Sequence, residues 1–349
     1  MNPPALPRLQ AHLQALYASE VPIRIEGLGS KSFLTPDLIG EPLSLAPLRG
    51  VIAYEPSELV ISVWAGTPIA EVTALLAEHG QGLLFEPPLF NGSGSIGGLL
   101  AAGLAGPARA YRGGVRDYVL GVKLLRHDGE VMNFGGTVMK NVAGFDVSRQ
   151  WVGSMGRCGP LIAASLKVFP LPRRTVSLRL AQTQAESLQW VERLSTQPIP
   201  ITASAWFEGF TTIRLAGSAS VVDSAVRALD ADATVLDEAQ SAAWWAGLTH
   251  HTHPFLADTT ALWRVSVPLG TGVISDEPTL VEWGGALRTL RAAHVDEDCR
   301  ARIAAAGGYV TPWPCDLSAQ TQLLDPTVQR LTDGIRRVYD PKLLYNRTR

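Results

Sequence analysis

The feature that most constrains this chain is a glycine-rich stretch from Glu86 to Gly159, EPPLFNGSGSIGGLLAAGLAGPARAYRGGVRDYVLGVKLLRHDGEVMNFGGTVMKNVAGFDVSRQWVGSMGRCG. Widened to start at Gly82, it holds 17 of the chain's 33 glycines in under a quarter of the length. Glycine loses more backbone freedom on folding than any other residue, so such enrichment points to positive φ or to close approach of a ligand. Its centre, Asn91-Gly92-Ser93-Gly94-Ser95-Ile96-Gly97-Gly98, runs into an apolar segment, Leu99 to Ala105. Small residues with free backbone N–H groups beside a helix start suit an anion such as a diphosphate. A flexible surface linker would not need the apolar residues that interleave these glycines.

The 349 residues leave room for two domains. A hydrophobic content of 46% with 18% charged residues describes a globular chain with a sizeable core. A formal net charge of −2 and the lack of a basic run exclude a nucleic-acid footprint. Cys158, Cys299 and Cys315 have no CxxC spacing, which argues against a disulfide framework, a zinc site or an iron–sulfur cluster and fits a reducing compartment. The first 20 residues lack the basic and apolar regions of a signal peptide, and no apolar run approaches a membrane span. Peripheral attachment through a membrane-bound partner stays open.

Leu9, Leu13, Leu16 and Tyr17 recur at helical spacing and predict a first amphipathic helix. Ile23-Arg24-Ile25 reads as a strand, stopped by Glu26-Gly27-Leu28-Gly29-Ser30-Lys31, a turn that ends in a hydroxyl and a cation. Those groups suit a phosphate. The turn lacks Walker A spacing, however, and an ordinary strand-end turn is an equal reading in isolation. Thr67-Pro68 predicts a helix start whose apolar stripe is Ile69, Val72, Leu75, Leu76 and His79, with His79 packed or capping. Tyr118 to Leu125 is a strand turning back through His127-Asp128-Gly129. After an apolar strand, Leu161 to Phe169, the run Pro170-Leu171-Pro172-Arg173-Arg174 marks a domain boundary. Beyond it, elements alternate strand, helix, strand, strand, helix, strand from Val176 to Leu236, the split βαβ or ferredoxin-like order. No internal repeat is evident.

Hydrolytic and metal chemistry find little support. Gly92-Ser93-Gly94-Ser95-Ile96 does not complete a GxSxG elbow. His250, His251 and His253 cluster in a Trp-rich turn without an adjoining acidic ligand, so they read as a loop; no metal site is expected. Asp296, Glu297 and Asp298 read as a solvated helix start.

Taken together, residues from about 20 to 170 resemble the FAD-binding domain of the vanillyl-alcohol-oxidase type, the PCMH-type fold. The resemblance is carried by an ordered series: Gly27-Leu28-Gly29-Ser30, Gly66-Thr67-Pro68, Pro87-Pro88, Ser95-Ile96-Gly97-Gly98, Gly103, Arg116-Asp117 and the run Gly153 to Gly159. Within that superfamily the chain is similar, over nearly its whole length, to the FAD-binding E subunits of bacterial glycolate oxidase (glycolate dehydrogenase). GSKSFL at 29–34, AAGLAGPARA at 101–110, GGVRDYVLG at 113–121, FGGTVMKNVAGFD at 134–146 and EWGGALR at 282–288 carry that likeness. The fold it implies is α+β: a two-subdomain PCMH-type FAD-binding domain over 1–172, then a ferredoxin-like α+β cap or interaction domain over 173–349.

The resemblance further implies FAD held by Gly27, Gly29, Ser30 and Lys31 with Ser95, Ile96, Gly97 and Gly98 at the diphosphate, and Gly66 and Thr67 by the adenosine end. Pro87, Pro88, Gly103, Arg116, Asp117, Gly159, Leu161 and Ile162 belong to the same implied set. Lys140, Asn141 and Asp146 are candidates for flavin or subunit contacts, with a hairpin-to-helix cap as the equal alternative. No histidine lies in the first glycine turn and no cysteine between Pro88 and Gly97, so FAD is expected to be non-covalent. Pro160 follows Gly159 and has no N–H, which moves any backbone donor to Leu161 or Ile162. Arg347-Thr348 replaces the terminal Pro-Gly of the pattern, which puts the packing of that segment in question.

Relatives that oxidise 2-hydroxy acids carry a histidine-rich motif with glycine and aspartate in the C-terminal domain; this chain has none, and its catalytic residues are unassigned. The expectation is a relay or structural flavin in a multi-subunit glycolate dehydrogenase, whose catalytic flavoprotein and iron–sulfur subunits do the rest. Its place would be cytoplasmic, with attachment to the inner face of the membrane through those partners left open. A non-redox scaffold and a stand-alone FAD-dependent 2-hydroxy-acid oxidoreductase are the alternatives.

Overall fold

The structure, a computed structural model, describes residues 3–137, 146–229, 232–258, 261–314 and 325–348. Two compact units emerge: Met1–Leu104 with Gly114–Leu171 and Asp316–Arg349, and Ala105–Gly113 with Pro172–Cys315.

The first unit opens with α1 (Ala5–Ala18), whose Leu6, Leu9, Leu13 and Tyr17 stripe is buried against the pair β1 (Ile23–Glu26) and β2 (Glu41–Ser44). That pair is parallel, Ile23 opposite Glu41. Next come β3 (Val51–Glu55), β4 (Val60–Trp64), α2 (Ile69–Glu78), β5 (Gln81–Gly82) and α3 (Ile96–Ala102). The short helix α4 (Arg109–Arg112) groups with the second unit; α5 (Val115–Tyr118) returns the chain to the first. There β6 (Val119–Leu125), β7 (Val131–Gly135), β8 (Leu161–Lys167) and β9 (Phe169–Pro170) follow. The main sheet is antiparallel in the order β3-β4-β8-β6-β7, and β5 pairs with β9. β4 is buried along its whole length, as an apolar VISVW strand between covered faces should be.

The second unit continues with β10 (Arg174–Ala181), α6 (Gln184–Ser195), β11 (Ile201–Phe207), β12 (Phe210–Gly217), α7 (Ala219–Ala228), β13 (Thr234–Val235), α8 (Glu238–Thr249) and α9 (Pro254–Ala257). Then come β14 (Leu262–Ser266), β15 (Thr279–Glu282), β16 (Leu287–Arg291), α10 (Glu297–Ala305) and β17 (Tyr309–Trp313). Its sheet runs β13-β10-β12-β11-β15-β16-β14-β17. The first four strands have the neighbour order of a split βαβ unit. The last four repeat that order with the opposite hand of listing: second, third, first, fourth. The chain therefore contains a topological duplication that its sequence does not display, because 267–278 replaces the first crossover helix by irregular chain. Thr183 and Glu186 close a capping box on α6, and Asp237 and Asp296 cap α8 and α10.

The last helix, α11 (Pro326–Tyr339), and the residues after it group with the first unit, so a continuous second domain over 173–349 is not what forms. The cause is a dense set of main-chain links. Ile23 donates to the Leu344 carbonyl at 2.8 Å, Asn346 to that of Ile23 at 2.8 Å, and Ile39 to that of Arg347 at 2.9 Å. Asp340, fully buried, accepts from the Tyr17 hydroxyl and from the Leu344 and Tyr345 amides. Arg347 and Thr348 thus seat the terminus through their backbone, without the Pro-Gly of the expected pattern.

Candidate functional site

A cavity of about 640 Å³ opens in the first unit. It is walled by the turn that follows β1, the N-terminal residues of α3, the segment 151–156, the start of β8 and Asn346. This volume lies within the range of small-molecule and cofactor sites.

The turn after β1 supplies the polar floor. Among the described residues, no acceptor is found for the backbone N–H of Leu28, Gly29, Ser30 or Lys31. Gly29 has φ +73°, which an L side chain rarely adopts. The Lys31 ammonium is buried with no hydrogen-bond acceptor, and burial lowers its pKa to about 8. Its nearest aromatic face is Phe90, 5.7 Å from the ring centre. A Cβ on Gly94 would come within 3.2 Å of this nitrogen, so the glycine there leaves room for the ammonium. Gly27 has a related reason: a Cβ would stand 2.4 Å from Ser95 Oγ, where the two glycine segments meet.

The segment at α3 acts differently from a nest of free amides. Ile96 N–H donates to the Thr67 carbonyl at 3.0 Å, Gly97 N–H to that of Ala65 at 2.7 Å, and Gly98 N–H to Ser95 Oγ at 3.3 Å. These donors are already used inside the chain. Gly97 is required because a Cβ would lie 2.9 Å from that of Ala65 and 3.1 Å from the Ala65 carbonyl oxygen. The glycines here thin the cavity wall; the donors without an acceptor among the described residues lie in the first turn.

Of the residues expected at the cofactor, Gly27, Gly29, Ser30, Lys31, Ser95, Gly97, Gly98, Gly159 and Leu161 line the cavity. Ten described candidates do not. Gly66 is packed on backbone, its would-be Cβ 2.3 Å from the Leu45 carbonyl oxygen, and Thr67 Oγ1 is tied to Trp64 and Gly50. Ile96 and Ile162 are fully buried core, and Pro87 and Pro88 are buried off the cavity. Gly103 ends α3 at φ +65°. Asp117 caps α5 through the Gly114 amide, and its neighbour Arg116 is exposed. Asp146 holds Ser148 and Arg149. Lys140 and Asn141 lie outside the described residues.

Sequence reasoning missed Trp151, Met155 and Asn346, which complete the wall from distant parts of the chain. Asn346 accepts from the Ile25 amide at 2.7 Å and donates to the Met155 carbonyl at 2.6 Å, tying the far terminus to β1 and to the segment beside Gly156. Trp151 is buried and stacks on Phe134 at 5.3 Å. The proximity of AsnArgThr to the end of the chain was the one available signal, and it names no contact.

The histidine cluster is elsewhere, in the second unit. His253 Nδ1 accepts from the Phe255 amide and caps α9. His251 is partly buried beside Trp313, and desolvation of its ring, with the Arg264 charge, pushes its pKa down to about 3. Among the described residues no three His, Cys, Asp or Glu side chains gather as a metal site.

A family model described as "FAD binding domain" matches residues 5–135. The glycolate oxidase subunit GlcE of Escherichia coli (strain K12) is 38% identical over 296 residues, 84% of this chain and 83% of that protein. The chain belongs to the GlcE family of glycolate oxidase subunits. It carries an FAD-binding domain and is of an oxidoreductase family. A D-lactate dehydrogenase of Anaerostipes hadrus is 30% identical over 139 residues, 40% of this chain and 29% of that one. Among solved structures, an alkyldihydroxyacetonephosphate synthase superposes with a TM-score of 0.69 at 14% identity, covering 97% of this chain and 74% of that one, a likeness of fold. The cavity fits the cofactor of this GlcE-family chain. The acceptor-free amides of 28–31 suit an anionic group such as a diphosphate, and Leu38, Leu45, Trp151 and Met155 are apolar wall residues that suit flat rings.

Proposed function

We propose that this chain is the FAD-carrying subunit of a multi-subunit glycolate dehydrogenase that oxidises glycolate to glyoxylate. Hydride abstraction belongs to a separate catalytic flavoprotein subunit, and an iron–sulfur subunit passes electrons to quinone. The observation that carries the reading is a cavity floored by the turn after β1, whose backbone N–H groups at 28–31 have no acceptor among the described residues and whose Lys31 belongs to the lining. Bound FAD supplies an acceptor for an electron pair. The chain's own residues bind and shield it: Lys31 and the amides of 28–31 hold the diphosphate, and Asn346 fixes the wall by joining β1 to Met155. Among the described residues the lining contains neither histidine nor cysteine, which supports non-covalent attachment.

Oxidising a 2-hydroxy acid removes two electrons and two protons, and needs a base at the hydroxyl and a cation for the carboxylate. Among the described residues, the ionisable side chains on the cavity wall are Arg24, Glu26 and Lys31, and Glu26 is paired with Arg24. That supports leaving the base to the partner subunit and giving this flavin a relay or structural role. The second unit then serves as an interaction domain. We place the chain on the cytoplasmic side, held at the membrane by its partners; no described helix is itself long and apolar enough to cross a membrane. Acid denaturation tests the cofactor assignment. It should release about one yellow FAD per chain into the supernatant, whereas a colourless preparation that takes up no added FAD, or flavin that stays with the pellet, would overturn it.

A further inference from the structure

Residues 339–348 touch three of the segments that wall the cavity. Tyr339 packs edge-on to Trp151 at 4.9 Å. Ile23 donates to the Leu344 carbonyl and accepts from the Asn346 amide, so the segment runs along β1, which leads into the floor turn. Ile39 donates to the Arg347 carbonyl, beside Leu38 of the lining. The Asn346 side chain then joins Ile25 to Met155. Gly156 makes room for it, since a Cβ there would stand 2.5 Å from Asn346 Nδ2.

The seat of this segment lies away from the cavity. Leu344 and Tyr345 are buried in the core with the α1 stripe. Asp340, also buried, accepts from the Tyr17 hydroxyl at 3.1 Å and from the Leu344 and Tyr345 amides at 3.0 and 2.8 Å. The Tyr17 oxygen in turn accepts from the Lys342 amide at 3.1 Å. Strain opposes the seating. Leu343, Asn346 and Met155 have φ of +53°, +43° and +51°, a region unfavourable to residues that carry a side chain. Met155 and Asn346 hold each other there through a 2.6 Å hydrogen bond. The preceding helix α11 adds no buried residue.

We infer that residues 340–348 are a latch whose seating and FAD binding favour one another. The inference rests on the cofactor reading above. The segment opens locally before the sheet core does, and opening releases three walls of the cavity at once. A ligand that binds the seated form better shifts the chain towards it, and the coupling is reciprocal. Tyr17 and Asp340, neither of which lines the cavity, are thereby positioning residues for the cofactor. Hydrogen exchange of the full chain, with and without saturating FAD, reads the latch at the amides of Leu344, Tyr345 and Asn346. FAD should slow them by about fivefold or more, the low end of ordinary coupling, and slow the β4 amides of the same unit less. Tyr17→Phe should speed exchange at 344–346 without FAD and weaken FAD by about fivefold or more in fluorescence titration; Asp340→Asn should do both more strongly. Exchange at 344–346 that ignores FAD would overturn the latch. So would equal slowing throughout the unit, which is plain stabilisation, or variants with a loosened latch and wild-type affinity for FAD. A wild-type chain that takes up no FAD would instead refute the cofactor reading on which the latch rests.

Discussion

Lys31 shows how much one residue can report. Its ammonium is held near pKa 8 by burial, and an anionic diphosphate beside it favours the charged form and raises that value. Binding therefore takes up a proton above pH 8: affinity for FAD is full below pH 8 and falls as pH rises through it, by at most about tenfold per unit. Lys31→Gln should weaken FAD by about tenfold or more, as expected for losing a charged hydrogen-bond donor, and flatten the profile between pH 7 and 9. Fluorescence titration across that range checks both, and an unchanged slope in the variant would show that another group carries the dependence. The sequence made this residue visible because glycine, hydroxyl and cation stand side by side. At Gly66 it is ambiguous, since a glycine packed on three carbonyl oxygens looks the same in a string of letters as one facing a ligand.

At the scale of elements, α3 and the chain terminus matter most. Gly97→Val should abolish FAD binding, because the new side chain meets Ala65 where even a Cβ is too close; Gly98 is looser, its would-be Cβ 3.3 Å from a side-chain hydroxyl. Flavin content of the purified variants decides this, and full occupancy in the Gly97 variant would move the cofactor away from α3. Asn346→Ala should destabilise the chain by about 1–3 kcal/mol through the donor and acceptor it leaves without partners, and lower FAD content as the wall loosens. Denaturant unfolding with flavin quantification reads both, and unchanged values would remove Asn346 from the wall. The α3 segment was legible as glycine-rich, but which amides were already bonded was not, since Thr67 and Ala65 are some 30 residues away in the chain. Likewise the ferredoxin-like order up to β13 could be read from alternating periodicities, whereas its second copy was hidden once a crossover helix was missing.

The whole molecule is a discontinuous two-unit chain whose last residues return to the unit that holds the cavity. Such a return leaves no periodic trace: Asp340 acts through Tyr17, and the Asn346 side chain through Ile25 and Met155, all far away in the chain. The family resemblance was legible because short glycine phrases kept their order; the walls contributed by Trp151 and Met155 were not, because large side chains in loops have no spacing rule. The central claim is that this chain holds FAD while the chemistry on glycolate belongs to a partner. Anaerobic stopped-flow of the FAD-loaded chain with millimolar glycolate measures that directly. The flavin band should stay unbleached with the chain alone and bleach once the partner subunits are added. Rapid bleaching of the lone chain by glycolate would contradict the account and make this the catalytic subunit.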